Sequence, residues 1–260
     1  MPTFSNDDIE IHYEDGGLDK PAVVFSHGFL MDREMFDSQV YALSGDYRCI
    51  TWDQRGHGGT RATGPFSYWD SAEDLIALLD HLGIEAAVLA GMSQGGFVSM
   101  RAALNAPERV TGLVFIDSQA GEEDADKKPV YEAMFQQWSK EGASRQVAQM
   151  VGEIILGPNV RYEPWLDKWL KYDQDQIEFI YRTLVDRDDL WDRVAEIDIP
   201  ALVIHGDSDL AISIDQAERL AESLPRSEGL VVVPDAGHAA NLGNPDAVND
   251  ALRDFLARHV

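Results

Sequence analysis

The stretch Ala87-Val-Leu-Ala-Gly-Met-Ser-Gln-Gly-Gly-Phe-Val98 decides how the rest of the chain is interpreted. Its first four residues are apolar and predict a buried strand, whereas the run from Gly96 to Ala102 is typical of a helix. Ser93 lies between them in a G-x-S-x-G pattern, where glycines allow the backbone to turn sharply and leave the hydroxyl accessible. The N–H groups at the start of the following helix favour negative charge beside that hydroxyl. The pattern therefore predicts that Ser93 is a nucleophile.

A nucleophilic serine needs a base, and the base needs a third group that orients it. His238 follows the last strand-like run, and Asp209 follows the run before it. Because parallel strands end at the same edge of a sheet, both side chains are expected near Ser93. Asp117, which follows another strand-like run, is an alternative to Asp209 as the acid.

The chain alternates strand-like and helix-like segments, which predicts an α/β fold with a mostly parallel, eight-stranded sheet flanked by helices. The helix-like patterns are clearest at Asp70–Leu82, which Gly83 ends, and at Pro245–His259. The predicted strands are Thr3–Ser5, Ile9–Tyr13, Ala22–Ser26, Cys49–Trp52, Ala87–Ala90, Leu113–Ile116, Ala201–Ile204 and Leu230–Val233.

Residues 119–193 interrupt this alternation, and we call them the insertion. They contain no β-rich run and hold several helix-like segments, together with four of the chain's six tryptophans. A helical insertion after the sixth strand would lie over the edge of the sheet where ligands bind. The sequence therefore predicts a core formed by residues 1–118 and 194–260 and a helical cap formed by residues 119–193.

Over nearly its whole length the chain resembles the α/β-hydrolase superfamily. Five segments carry the resemblance: Ser26-His-Gly-Phe29, Asp53-Gln-Arg-Gly-His-Gly58, Gly91-Met-Ser-Gln-Gly-Gly96, Gly206-Asp-Ser-Asp209 and Gly237-His238. The resemblance implies a triad of Ser93, Asp209 and His238, and an oxyanion hole made by the N–H groups of Phe29 and Gln94. One departure follows the acid, because many relatives have a proline there and this chain has Leu210-Ala-Ile-Ser-Ile. For this reason Asp117 stays open as the alternative acid.

The resemblance implies acyl transfer through an acyl-enzyme. A small carboxylic ester is the favoured substrate class, and a lactone is the next. Hydrolysis of carbon–carbon bonds and perhydrolysis are alternatives within the same fold. A ligand-binding or receptor protein without turnover is an alternative of another class, and cofactor-free oxygenation by a His–Asp pair is a third. Phe29, Met31 and Met92 flank the motifs and predict an apolar acyl pocket, to which we add Trp138 of the insertion as a substrate contact.

Other histidines receive structural interpretations. His27 is expected to fix the loop before Phe29, and His57 to pack in a turn together with Arg55. His205 is expected to be structural at a strand end. The single cysteine, Cys49, is expected to be a small buried side chain, and one cysteine cannot form a disulfide within the chain.

Composition limits the partners that the chain is expected to have. Its net charge of −25 repels nucleic-acid phosphates and anionic lipid, so neither nucleic acid nor a membrane is expected. No metal-binding motif and no phosphate-binding glycine loop is present, so we expect no cofactor and no metal. The N-terminus lacks the pattern of a secretory signal, so a cytoplasmic location is expected. A homodimer is conceivable.

Overall fold

The computed structural model describes residues 1–17 and 19–260, in which eight strands form a single sheet. The strands are β1 (Thr3–Asn6), β2 (Ile9–Asp15), β3 (Ala22–Ser26), β4 (Arg48–Trp52), β5 (Ala87–Met92), β6 (Val110–Ile116), β7 (Ala201–Gly206) and β8 (Ser227–Val233). Their order across the sheet is β1-β2-β4-β3-β5-β6-β7-β8. The pairs β1–β2 and β2–β4 are antiparallel, and all the others are parallel. The predicted fold class is therefore confirmed.

Helices cover both faces of the sheet. They are α1 (Asp37–Leu43), α2 (Tyr68–His81), α3 (Gln94–Asn105), α4 (Lys128–Glu141), α5 (Arg145–Ile155), α6 (Glu163–Trp169), α7 (Gln174–Val185), α8 (Ile214–Ser223), α9 (Ala240–Gly243) and α10 (Pro245–His259). The apolar sides of α2, α3 and α8 form one core with one face of the sheet, and those of α1 and α10 pack against the other face. Burial on both faces explains why β3 and β5 are continuous apolar runs rather than alternating ones.

The insertion contributes the four helices α4 to α7, between β6 and β7. Their apolar residues join the core that α1 and α10 form on the sheet. Trp169 also ties the insertion to the loop after β3, because its indole Nε1–H donates a hydrogen bond to the carbonyl of Leu30 at 2.8 Å. The structure therefore places helices over the loops at the edge of the sheet, and the exact limits 119 and 193 stay a prediction.

Several local predictions can be compared with the structure. Helix α2 begins two residues earlier than predicted because the Ser67 side chain caps it together with Asp70, and Gly83 follows it with a φ of +64°. Cys49 is buried as expected, and burial raises the pKa of its thiol to about 11. Within the described part of the chain, no helix combines the length and the apolar character needed to cross a bilayer.

Candidate active site

Ser93 occupies the turn between β5 and α3 with a φ of 50°, in the left-handed region that side chains other than glycine rarely adopt. Such a conformation costs about 1–3 kcal/mol and persists only where neighbouring groups enforce it. Here the N–H of Ser93 donates to the carbonyl of Ile116 on β6 at 2.8 Å. A Cβ at Gly91 would collide with the backbone of Gly95, and one at Gly95 would collide with the carbonyl of Ser26. Both glycines of the motif are therefore required by close backbone packing.

His238 and Asp209 meet Ser93 at the carboxyl ends of the strands. His238 lies on the loop after β8, with its Nε2 atom 2.9 Å from Ser93 Oγ and its Nδ1 atom 2.8 Å from Asp209 Oδ2. Asp209 lies on the loop after β7, where its other oxygen accepts the N–H groups of Ala211 and Ile212 at 2.7 and 3.0 Å. The structure thus brings the three predicted side chains into one hydrogen-bonded chain.

His238 and Asp209 alter each other's pKa. Burial disfavours the charged form of His238, but the negative charge and hydrogen bond of Asp209 outweigh it and raise the pKa of the imidazole. Burial likewise disfavours the Asp209 carboxylate, but the charge and hydrogen bond of His238 outweigh it and lower the pKa of that carboxyl. Asp209 is therefore ionised at neutral pH and holds a proton on His238 Nδ1, which leaves Nε2 free to accept one from Ser93.

Asp117, the alternative acid, is also fully buried at this edge but has different partners. Its two oxygens accept the N–H groups of Gly206 and Ala240 at 2.8 and 2.9 Å. Gly206 precedes the loop of Asp209, and Ala240 follows His238 by two residues. Burial, together with the nearby charge of Asp209, raises the pKa of Asp117 well above its ordinary value. Asp209 therefore has the geometry of the acid, and Asp117 joins the two loops that carry Asp209 and His238.

His205 lies between the two carboxyl groups. Its Nδ1 atom is 3.6 Å from Asp117 and its Nε2 atom is 3.5 Å from Asp209, and burial lowers the pKa of the ring. These three side chains could all reach one cation. The acceptor atoms of both carboxyl groups are already engaged by backbone N–H groups and by His238. His205 Nε2 lies 3.2 Å from the carbonyl of Ile212, whereas its Nδ1 has no hydrogen-bond partner among the described residues.

Two N–H groups beside Ser93 remain available to a ligand. Gln94 is the first residue of α3, so its N–H has no acceptor within the helix. Phe29 follows β3, and none of the backbone hydrogen bonds found in residues 1–17 and 19–260 uses its N–H. The loop of Phe29 approaches the serine turn closely, because a Cβ at Gly28 would collide with the side chain of Met92. These are the two N–H groups predicted to bind an oxyanion.

A family model for the α/β-hydrolase fold matches residues 21–245, which include all the residues of the site described above. The chain belongs to the α/β-hydrolase family.

Similar proteins share this α/β-hydrolase chain's length as well as its fold. A 3-oxoadipate enol-lactonase of Acinetobacter baylyi is 28% identical, and the match covers 98% of this chain and 96% of that one. A thermophilic esterase from Thermogutta terrifontis has a TM-score of 0.88 at 27% identity, over 99% and 97% of the two chains. An enol-lactonase from Burkholderia xenovorans has a TM-score of 0.88 at 26% identity, over 98% and 100%. These relatives support the prediction of an ester-acting hydrolase.

In this α/β hydrolase a cavity opens beside Ser93 and His238, under the insertion. Phe29 and Met92, two of the four predicted substrate contacts, are among its lining residues. Met31 and Trp138, the other two predicted substrate contacts, are not among the lining residues and are each 1% exposed. Met31 is buried in the core, and Trp138 packs against Phe135 with ring centroids 5.7 Å apart.

Most of the cavity wall was not predicted from the sequence. Its remaining residues are Phe97, Gln119, Glu123, Tyr131, Met134, Phe135, Val151, Ile154, Ile155, Leu184, Arg187, Ala211 and Ile212. Those on α4 and α5 recur at three- and four-residue spacing, as in Tyr131, Met134 and Phe135 or Val151, Ile154 and Ile155. That spacing indicates a buried helix face, but it does not distinguish a face that packs on protein from one that borders a cavity.

His27 and His57 have the structural contacts expected of them. His27 Nδ1 lies 2.8 Å from the carbonyl of Gly28, and its Nε2 accepts the N–H of Gln54 at 3.0 Å. His57 lies 2.9 Å from the carbonyl of Arg55. Burial lowers the pKa of His27 to about 4 and that of His57 to about 3, so both rings are neutral at pH 7.

Proposed function

We propose that this α/β hydrolase cleaves small carboxylic esters or lactones through an acyl-enzyme intermediate on Ser93. The observation that carries the proposal is the continuous chain of contacts from Ser93 Oγ through His238 to Asp209, at 2.9 and 2.8 Å. A serine hydroxyl is a poor nucleophile unless a base takes its proton, and a neutral imidazole within hydrogen-bond reach is such a base.

The first half of the reaction transfers the acyl group to the protein. His238 Nε2 takes the proton of Ser93 as Oγ attacks the substrate carbonyl, and the carbonyl oxygen becomes negatively charged. The N–H groups of Phe29 and Gln94 bind this oxyanion, and each such donor contributes about 3 kcal/mol to the stability of the transition state. The C–O bond to the alcohol then breaks, and the proton on His238 passes to the leaving oxygen.

The second half of the reaction returns the serine. His238 takes a proton from water as the water oxygen attacks the acyl-enzyme, and the acid leaves when the bond to Ser93 Oγ breaks and Oγ regains its proton. Asp209 stays ionised throughout and stabilises the imidazolium of each transition state. In a lactone the leaving alcohol is part of the same molecule, so the product is one hydroxy acid rather than an acid and an alcohol.

The ester and lactone classes are supported by the relatives that are an esterase and two enol-lactonases. The cavity agrees with a small substrate that carries an apolar group, because its wall consists mainly of aliphatic and aromatic side chains. Contact between such a wall and an apolar group of the substrate favours binding, and the wall offers few hydrogen bonds to a polar group.

The test combines an activity assay with covalent labelling. Wild-type protein and Ser93→Ala are treated with a fluorophosphonate, their intact masses are measured, and turnover of p-nitrophenyl acetate and butyrate is followed. We expect one adduct and ester turnover in the wild type, and neither in the variant. A folded wild type that is neither labelled nor active would contradict the proposal and favour a ligand-binding protein. Full activity in Ser93→Ala would point instead to chemistry on the His–Asp pair alone.

A further inference from the structure

The cavity wall contains one buried ion pair among its apolar side chains. Arg187, which follows α7, and Glu123, on the loop between β6 and α4, both line the cavity. Arg187 Nη1 lies 2.8 Å from Glu123 Oε2, and the two side chains are only 3% and 10% exposed. A buried charge is retained in a protein when it is paired and hydrogen-bonded, and Arg187 and Glu123 meet this condition in the cavity wall.

The guanidinium of Arg187 is almost saturated by the protein itself. Besides Glu123, it donates to the carbonyls of Leu184, Gly121 and Glu122 at 2.8, 3.0 and 3.1 Å. An arginine has five N–H donors, and four of them are used in these bonds. The cation therefore has little capacity left for a carboxylate on a bound substrate.

Glu123 adds a second obstacle to an anionic substrate. A substrate carboxylate near Arg187 would also lie near the carboxylate of Glu123, and two like charges in a site of low dielectric repel each other strongly. The net charge of −25 adds long-range repulsion of anions. One face of the guanidinium lies over the ring of Phe97, 4.8 Å from the centroid, so a ligand cannot reach the cation freely from that face.

We propose that Glu123 determines specificity: by neutralising Arg187 it restricts this cavity to uncharged acyl chains. The proposal rests on the proposed function, and it names the substrate class as esters or lactones whose acyl chain carries no charge. The A. baylyi and B. xenovorans relatives are enol-lactonases, and the first is named for 3-oxoadipate. The proposal distinguishes this chain from an enzyme whose substrate carries a carboxylate on its acyl group, despite the similarity of the folds.

The experiment compares two esters that differ in charge at the far end of the acyl chain. Methyl pentanoate and monomethyl glutarate have acyl chains of equal carbon number, and acid release from each is followed at constant pH. For the wild type we expect kcat/KM to be at least about tenfold higher for the pentanoate. Equal kcat/KM values for the two esters, or a higher value for the glutarate, would overturn the proposal.

Three variants show whether the ion pair causes that preference. Glu123→Gln should lower the pentanoate-to-glutarate ratio by at least about tenfold, because it frees the cation of Arg187 for the substrate. Glu122→Gln is the matched control, since it removes the same charge from an exposed neighbour outside the cavity wall, and its ratio should stay within about twofold of the wild type. Adding Arg187→Met to Glu123→Gln should restore the wild-type ratio.

Each outcome bears on the proposal. An unchanged ratio in Glu123→Gln, or equal changes in Glu123→Gln and Glu122→Gln, would contradict a role for the pair. The wild-type ratio needs no variant, so equal values for the two esters or a preference for the glutarate would still overturn the proposal if Glu123→Gln fails to fold. If the pentanoate is hydrolysed in a Ser93-dependent reaction but is not preferred over the glutarate, the specificity proposal alone is contradicted. If neither ester is hydrolysed and Ser93 is not labelled by the fluorophosphonate, both the proposed function and the specificity proposal are contradicted.

Discussion

The strand ends and the insertion both border the cavity, but they hold their side chains by different means. At the strand ends, directed bonds fix each polar atom, and both oxygens of Asp117 and of Asp209 are engaged. In the insertion, apolar packing holds the lining apart from the Arg187–Glu123 pair, and Met134 and Ile154 are partly exposed. Directed bonds fix positions to a fraction of an ångström, as proton transfer requires, whereas apolar packing tolerates exchange of side chains. The comparison implies that chemistry belongs to the strand ends and substrate selection to the insertion.

The largest expected effect comes from removing the acid at the strand ends. Asp209→Asn should lower kcat by about 10⁴-fold, because an amide that donates to His238 Nδ1 leaves the proton on Nε2, where it blocks the transfer from Ser93. Asp117→Asn is the matched control, since it alters an equally buried carboxyl that does not bond to the imidazole. It should lower kcat by only about tenfold, through displacement of the two loops. Steady-state kinetics on both variants would refute this assignment if Asp117→Asn were the more damaging change.

The pH dependence of the wild type sharpens the same comparison. His238 must be neutral to act as a base, and Asp209 raises its pKa above the ordinary value of 6.5. The value of kcat/KM should therefore fall as the pH decreases through a midpoint above 6.5, and Asp209→Asn should move that midpoint to lower pH. The pKa values of His27 and His57, about 4 and 3, are too low to produce such a midpoint. A profile that is flat between pH 6 and 8 would argue against His238 as the base.

A side chain of the insertion should affect selection rather than chemistry. Ile154 lies on α5 and lines the cavity. Ile154→Ala should lower kcat/KM for a p-nitrophenyl hexanoate by about fivefold to tenfold, because apolar contact is lost, and change that for the acetate by less than about twofold. Equal losses on the two esters would mean that the insertion positions the reacting groups themselves.

The smallest expected effect concerns a residue of the insertion that lies outside the cavity wall. Trp138 is buried, and its indole Nε1 has no hydrogen-bond partner among the described residues. Trp138→Phe should therefore leave kcat/KM within about twofold, because the side chain does not reach the substrate. It should lower the free energy of unfolding by about 1 kcal/mol, since the cavity that it leaves is partly offset by loss of an unsatisfied polar atom. Urea denaturation measures the second effect, and a large change in substrate preference would show that Trp138 contacts the substrate.

The sequence predicts the strand ends well because their signals are local. The apolar run before Ser93, the glycines around it and the positions of Asp209 and His238 after successive strands each reflect a requirement of backbone geometry or of chemistry. The sequence favours Asp209 but leaves Asp117 open as the alternative acid, because both follow strands at the same edge. The choice depends on which carboxyl faces His238 Nδ1, and only the folded loops determine that.

The cavity wall is less predictable because direction, rather than sequence position, decides which side chains line it. Met31 is two residues from Phe29, yet the chain turns between them at Leu30, whose φ is 62°. The Met31 side chain consequently enters the core instead of the cavity. Trp138 lies one turn beyond Phe135 on the same apolar face of α4, and helical periodicity does not say where along that face the cavity ends.

The central claim, that Ser93 carries the acyl group during turnover, is tested most directly by trapping that intermediate. Wild-type protein is mixed with excess p-nitrophenyl butyrate, quenched in acid within the first turnovers, digested and analysed by mass spectrometry. The account predicts that the peptide containing Ser93 gains one butyryl group and that Ser93→Ala gains none and releases no nitrophenol above background. Continued turnover in Ser93→Ala, or a butyryl group found on another residue of an active wild type, would contradict it.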